Sequence, residues 1–132
     1  VDAHDHNKAA WAWWNQSAGQ VIFSRFTQMG FLRLLTNPAV MSGHAIRLGE
    51  AWKLYSNWLD DPRVEFHPEP RNIDPAFREA TKPFDASTAS KWIADCYLMA
   101  FALERQATLV TFDSALVAAA RKQSCAAIDP RL

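Results

Sequence analysis

Apolar residues crowd most densely between Trp92 and Leu103. Trp92, Ile93, Cys96, Tyr97, Met99, Ala100 and Leu103 recur at three- and four-residue spacing, and Leu98, Phe101 and Ala102 fill the remaining face. That spacing predicts a helix, and one apolar almost all round is expected to be buried. A single charge, Asp95, interrupts it near its start. The next apolar run, Ala107–Phe112 (ATLVTF), is short and β-branched, as expected of a strand covered on both faces. Asp113 ends that strand, and a second helix is expected over Ser114–Arg121. From Asp95 the helix descends for roughly 11 residues, about 17 Å. The strand climbs back about 20 Å to Asp113. If helix and strand pack antiparallel, both carboxylates return to the strand's carboxyl edge, where open α/β sheets place ligands. Two carboxylates meeting there repel unless a cation lies between them, so the pair is a candidate metal site.

The rest of the chain alternates helical and strand spacing. A helix is expected from about His6 to Ser17 with Asp5 as its N-cap, then a strand over Gln20–Ser24. Thr27 is the expected cap of a second helix, which Thr36-Asn37-Pro38 must end. Ser42 or His44 opens a third, with Ile46, Leu48, Trp52, Leu54, Tyr55 and Trp58 as its apolar positions. Asp60-Asp61-Pro62 stops it, and Val64–His67 reads as a brief strand. Pro68–Ser87 holds four prolines and is expected to be loop with one short helix at Ala76–Ala80. A last strand is expected over Ala126–Asp129. Helices alternating with short apolar strands predict the α/β class, a parallel sheet flanked by helices.

Composition narrows the possibilities. At 132 residues the size fits one domain over 1–132, long enough for a real core. With 49% hydrophobic residues, six Trp and eight Phe, disorder is excluded. Fourteen basic residues balance fourteen acidic ones, so any nucleic-acid contact must come from a local basic rim. Arg33, Arg71, Arg78, Lys82 and Lys91 are candidates for that rim, with solvated surface as the default for each. Two cysteines, Cys96 and Cys125, fit a reducing, cytoplasmic setting better than a disulfide scaffold. No apolar run approaches the ~18 residues of a membrane span. The chain opens Val1-Asp2 without an initiator methionine and is expected to lack a preceding element.

Each chemical candidate has an ordinary alternative. Asp113 before a helix is a common cap. Asp95 could pair with an arginine, but an unpaired carboxylate among apolar neighbours costs several kcal/mol, order of magnitude. Thr111, two residues before Asp113, shares its side of the strand and could bond a carboxylate or water. Gln28 follows the Gln20–Ser24 strand and could be a surface residue, a neutral oxygen ligand or a water-positioning group. His4 and His6, in the tract Asp2-Ala3-His4-Asp5-His6, are two apart and share no helix face, so a polar helix entry is the better reading. Zinc-ligand spacing, a GxSxG elbow and a phosphate-cradling glycine loop are all absent from the sequence.

Trp92-Ile-Ala-Asp95-Cys-Tyr-Leu-Met-Ala-Phe-Ala, followed by Ala107-Thr-Leu-Val-Thr111-Phe-Asp113, resembles the C-terminal signature of PIN-domain ribonucleases, more narrowly the VapC-type toxins of bacterial toxin–antitoxin pairs. Phe26-Thr-Gln-Met-Gly-Phe-Leu-Arg33-Leu-Leu-Thr-Asn37-Pro38 is similar to a recurring segment of the same group. The resemblance implies a three-layer α/β/α sandwich with a parallel sheet and an acidic Mg²⁺ or Mn²⁺ site. It implies cleavage of single-stranded or looped RNA, a homodimer, and inhibition by a cognate antitoxin. By position, Asp95 and Asp113 match two family acids and Thr111 the hydroxyl residue near the last. Gln28 falls where many members have glutamate. The first family aspartate, on an N-terminal strand, has no match in this sequence, so the chain as written is expected to lack one carboxylate, with inactivity of the chain alone as one expected outcome. Two rival expectations are a PIN-like protein-association module without catalysis and a doubly wound phosphate-handling or receiver domain.

Overall fold

A computed structural model describes residues 3–17, 19–39, 41 and 43–131, with side chains from Lys8 onward. The chain divides into two compact units, one formed by 18–69 and the other by 1–17 with 70–132.

In the 18–69 unit, strand β1 (Val21–Phe23) pairs in parallel with β2 (Val64–Phe66), Val21 opposite Val64 and Phe23 opposite Phe66. The ladder is continued outward by Val21 N–H donating to the Arg63 carbonyl (2.6 Å) and His67 N–H to the Phe23 carbonyl (2.8 Å). Between the strands run helices α2 (Arg25–Thr36) and α3 (Leu48–Leu59). They meet over an aromatic core in which Phe23 stacks on Tyr55 (5.7 Å) and Trp58 (6.1 Å), with Phe31 tilted against both. Ser24, not Thr27, is the N-cap of α2. The Ser24 hydroxyl accepts from Thr27 N–H, and Thr27 Oγ1 accepts from Ser24 N–H, closing a capping box. α3 starts at Leu48, later than the sequence suggests, with Arg47 as N-cap and no side-chain capping bond; Ser42 lies outside the described residues.

The other unit contains helix α1 (Ala3–Gln16), which begins ahead of its expected start, so Asp5 falls inside it rather than before it. The side chains of the Asp2–His6 tract lie outside the described residues. Helix α4 (Ile73–Thr81) is longer than the expected Ala76–Ala80 and packs along α5 (Ile93–Glu104). Strand β3 (Leu109–Val110), helix α6 (Ser114–Lys122) and strand β4 (Ala127–Ile128) complete the unit, with β3 and β4 parallel. Cys96, Met99 and Ala100 are wholly buried and join Leu116, Val117 and Ala120 of α6 in the core. Burial raises the pKa of both free cysteines, and the Asp95 charge adds to the rise at Cys96.

Two further expectations change. α5 is buried on one face only, since Ile93 remains 55% exposed. β3 spans two half-exposed residues instead of the whole of Ala107–Phe112, because the hydrogen-bonded partner it has, β4, is equally short. Among the described residues the strands form two parallel pairs, one in each unit. The α/β class with parallel strands and helical crossovers is therefore the observed one.

Candidate metal centre

Helix α5 opens after a short 3-10 turn, Ser90–Trp92, and Asp95 stands in its first turn. A carboxylate at this end of a helix is favoured by the backbone dipole. Its surroundings are otherwise unfavourable. Asp95 is half-buried and, among the described residues, accepts no hydrogen bond and has no basic partner. Burial, and then the Asp113 charge, push its carboxyl above the ordinary aspartate range. The arginine pairing that would have made Asp95 an ordinary buried acid does not occur.

The return of β3 brings Asp113 close enough for its charge to act on Asp95. Its Oδ1 accepts from Ala115 N–H (3.0 Å) and Leu116 N–H (3.2 Å), capping α6. The ordinary cap reading is thus correct for Oδ1, while Oδ2 receives no donor among the described residues. Thr111 does not bond a carboxylate. Its hydroxyl accepts from Asp113 N–H at 3.1 Å, and its own N–H donates to the Ile128 carbonyl. It therefore fixes the turn that presents Asp113.

Two residues escaped the sequence reading. Asp129 ends β4 at the same edge, 7% exposed, and is held by Arg131 through paired guanidinium bonds. A second Arg131 nitrogen donates to the Phe112 carbonyl (3.0 Å), and the guanidinium lies 5.7 Å from the Phe112 ring centre. Arg131 thereby ties β4 to the residue preceding Asp113. Asp129-Pro130-Arg131 offers no spacing signal in sequence, since only the parallel pairing brings it alongside Thr111.

Gln28 belongs to the 18–69 unit. It is buried on α2, and its Oε1 accepts from Arg25 Nη1 at 2.6 Å. Of the candidate basic rim, Arg78 pairs with Asp74 and Lys82 with Glu79, both 2.7 Å apart, while Arg33, Arg71 and Lys91 have no ion pair among the described residues.

Two carboxylates close enough for one to feel the other's charge, one of them lacking any donor and disfavoured as an anion, suit a small divalent cation. Among the described residues no group of three or more His, Cys, Asp or Glu that could hold a metal ion is present.

The model of the PIN domain matches residues 1–122. The chain belongs to the PIN-domain family. The protein called Ribonuclease VapC41 from Mycobacterium tuberculosis, in strains CDC 1551 / Oshkosh and ATCC 25618 / H37Rv, is similar at 36% identity over 121 residues. That alignment covers 87% of this chain and 82% of the relative, so the PIN protein is of the VapC type. The PIN assignment gives the Asp95–Asp113 edge its context. No described helix is long and apolar enough to cross a membrane.

Proposed function

We propose that this PIN-domain chain is an endoribonuclease that requires Mg²⁺ or Mn²⁺ and acts on single-stranded or looped RNA as the toxin of a VapBC-type pair. The carrying observation is Asp95, a half-buried carboxylate without a donor beside a second carboxylate. In this reading the chain is one PIN-like domain over 1–132, works in the cytoplasm as a homodimer, and is restrained by a cognate antitoxin. The name of the M. tuberculosis relative supports the ribonuclease assignment.

Asp95 and Asp113 Oδ2 would hold the cation. When bound, a divalent ion neutralises charge on the phosphate and makes a water more acidic. Asp113 Oδ1 stays on the α6 amides, which fixes the direction in which Oδ2 points. Thr111 sets the turn, and Arg131 braces it from β4. The raised pKa of Asp95 means that its proton must leave before the pair can serve as ligand, so activity should rise with pH through the acidic range. Single-stranded RNA would be cut with Mn²⁺ by the purified protein, and Asp95→Asn or Asp113→Asn would lower the rate by at least about a hundredfold. Wild-type rates in the Asp95→Asn protein would sink the assignment.

A second reading, a PIN-like association module without catalysis, is favoured by the two-carboxylate donor set. Such a module would leave RNA intact with either ion.

A further inference from the structure

We infer that Arg25 and Gln28, at the carboxyl edge of the β1–β2 pair, form a phosphodiester-binding element for single-stranded RNA and take no part in metal ligation. The inference rests on the ribonuclease reading for the identity of its ligand.

The orientation of the Gln28 carboxamide decides the matter. Arginine has donors only, so the 2.6 Å contact from Arg25 Nη1 assigns the contacted atom as the acceptor Oε1. The one Gln28 atom able to ligate a cation therefore faces a positive guanidinium that repels any cation approaching it. What remains is Nε2, a donor with no acceptor among the described residues and open to a ligand from solvent.

Arg25 is the second half of the element. It is exposed, has no carboxylate partner among the described residues, and its guanidinium sits 4.8 Å from the centre of the Phe66 ring. Stacking and the Gln28 bond hold the fork in one orientation before any ligand arrives, and a held fork suits two phosphate oxygens better than a mobile lysine does. On β2 at this edge the Glu65 carboxylate lies 3.0 Å from His67 Nε2. The first turn of α2 has no acidic residue, and its N-terminus presents a partial positive charge. The Arg25 fork, the Gln28 amide donor and the α2 N-terminus select an anion, and in a nuclease the available anion is the RNA backbone.

The test is the affinity of the purified protein for a single-stranded RNA oligonucleotide in EDTA, measured across a salt series. EDTA removes the cation and with it cleavage. Arg25→Gln should weaken binding about tenfold and flatten the dependence of log affinity on log salt by about 0.7. Arg25→Lys, which keeps the charge and guards against a misfolded first variant, should restore the salt slope but only part of the affinity. Mn²⁺ affinity should be unchanged in Arg25→Gln and in Gln28→Ala. Wild-type RNA affinity and slope in Arg25→Gln would overturn the inference, as would loss of Mn²⁺ binding in Gln28→Ala. Failure of the ribonuclease reading is separately visible as intact RNA when the wild-type protein is given Mn²⁺. In that case, inorganic phosphate titrated against the Gln28 side-chain amide resonance still decides. A saturable shift that Arg25→Gln abolishes supports the element, and no shift in the wild type overturns it.

Discussion

Asp95 is a residue whose local cost points to its use. Its folded pKa lies above that of an unfolded aspartate, because burial and then the Asp113 charge disfavour the anion. The folded state therefore binds this proton more tightly than the unfolded state does. The stabilising contribution is fully present below the ordinary value of about 3.9 and is lost as pH rises through the raised one. In metal-free buffer, Asp95→Asn should melt at a higher temperature than wild type at neutral pH, and the gap should close in acid. A variant melting lower at neutral pH would show a carboxylate already satisfied. Mn²⁺ should reverse the order, since a ligand at a hundred times its dissociation constant stabilises by about 2.7 kcal/mol. Asp95 was legible in sequence because a lone charge in an apolar helix has few structural explanations. Asp129 was not, because a buried ion pair with Arg131 two residues later looks like a polar chain end until β4 is placed beside β3.

At the scale of elements, both helices that lead into strands in the 70–132 unit reverse through a left-handed residue that is not glycine. Gln106 (φ 53°) follows α5, and Ala107 N–H bonds the Ala102 carbonyl. Ser124 (φ 62°) follows α6, and Cys125 N–H bonds the Ala120 carbonyl. These are six-to-one closures of the helix end, and glycine usually fills the turning position. Ser124→Gly should raise stability by about 1 kcal/mol in urea titration by relieving the left-handed penalty; a loss would mean that the serine compensates its own strain. The absence of glycine there also removed the sequence signal for how the chain turns back. Asp113 separates its two roles in the same way. Asp113→Ala removes the α6 cap and should cost about 1 kcal/mol, whereas Asp113→Asn keeps a capping oxygen and should lose metal binding with less loss of stability. Comparable destabilisation by both would make the residue a cap and little else. Ser24 and Thr27 show a limit of cap assignment from sequence. Each is a competent cap, and they form one box, so only the backbone shows which of them precedes the helix.

Across the molecule, the α/β order of elements was readable because apolar spacing marks helices and strands strongly. Strand length was not, since ATLVTF is apolar enough for six residues of strand but pairs over only two. The division into 18–69 and 1–17 with 70–132 was likewise invisible, because it depends on which helices pack together and not on linker composition. Met99, wholly buried between α5 and its neighbours, tests the larger unit as a cooperative core. Met99→Ala should destabilise by about 2–5 kcal/mol, and a cost well below that would indicate a loosely packed interior. The account stands or falls on the paired aspartates as a metal centre. The most direct measurement is a calorimetric titration of Mn²⁺ into the purified wild-type, Asp95→Asn and Asp113→Asn proteins. One saturable site in the wild type that either substitution removes is the predicted result. No saturable site in the wild type, or one that survives in Asp95→Asn, would contradict it.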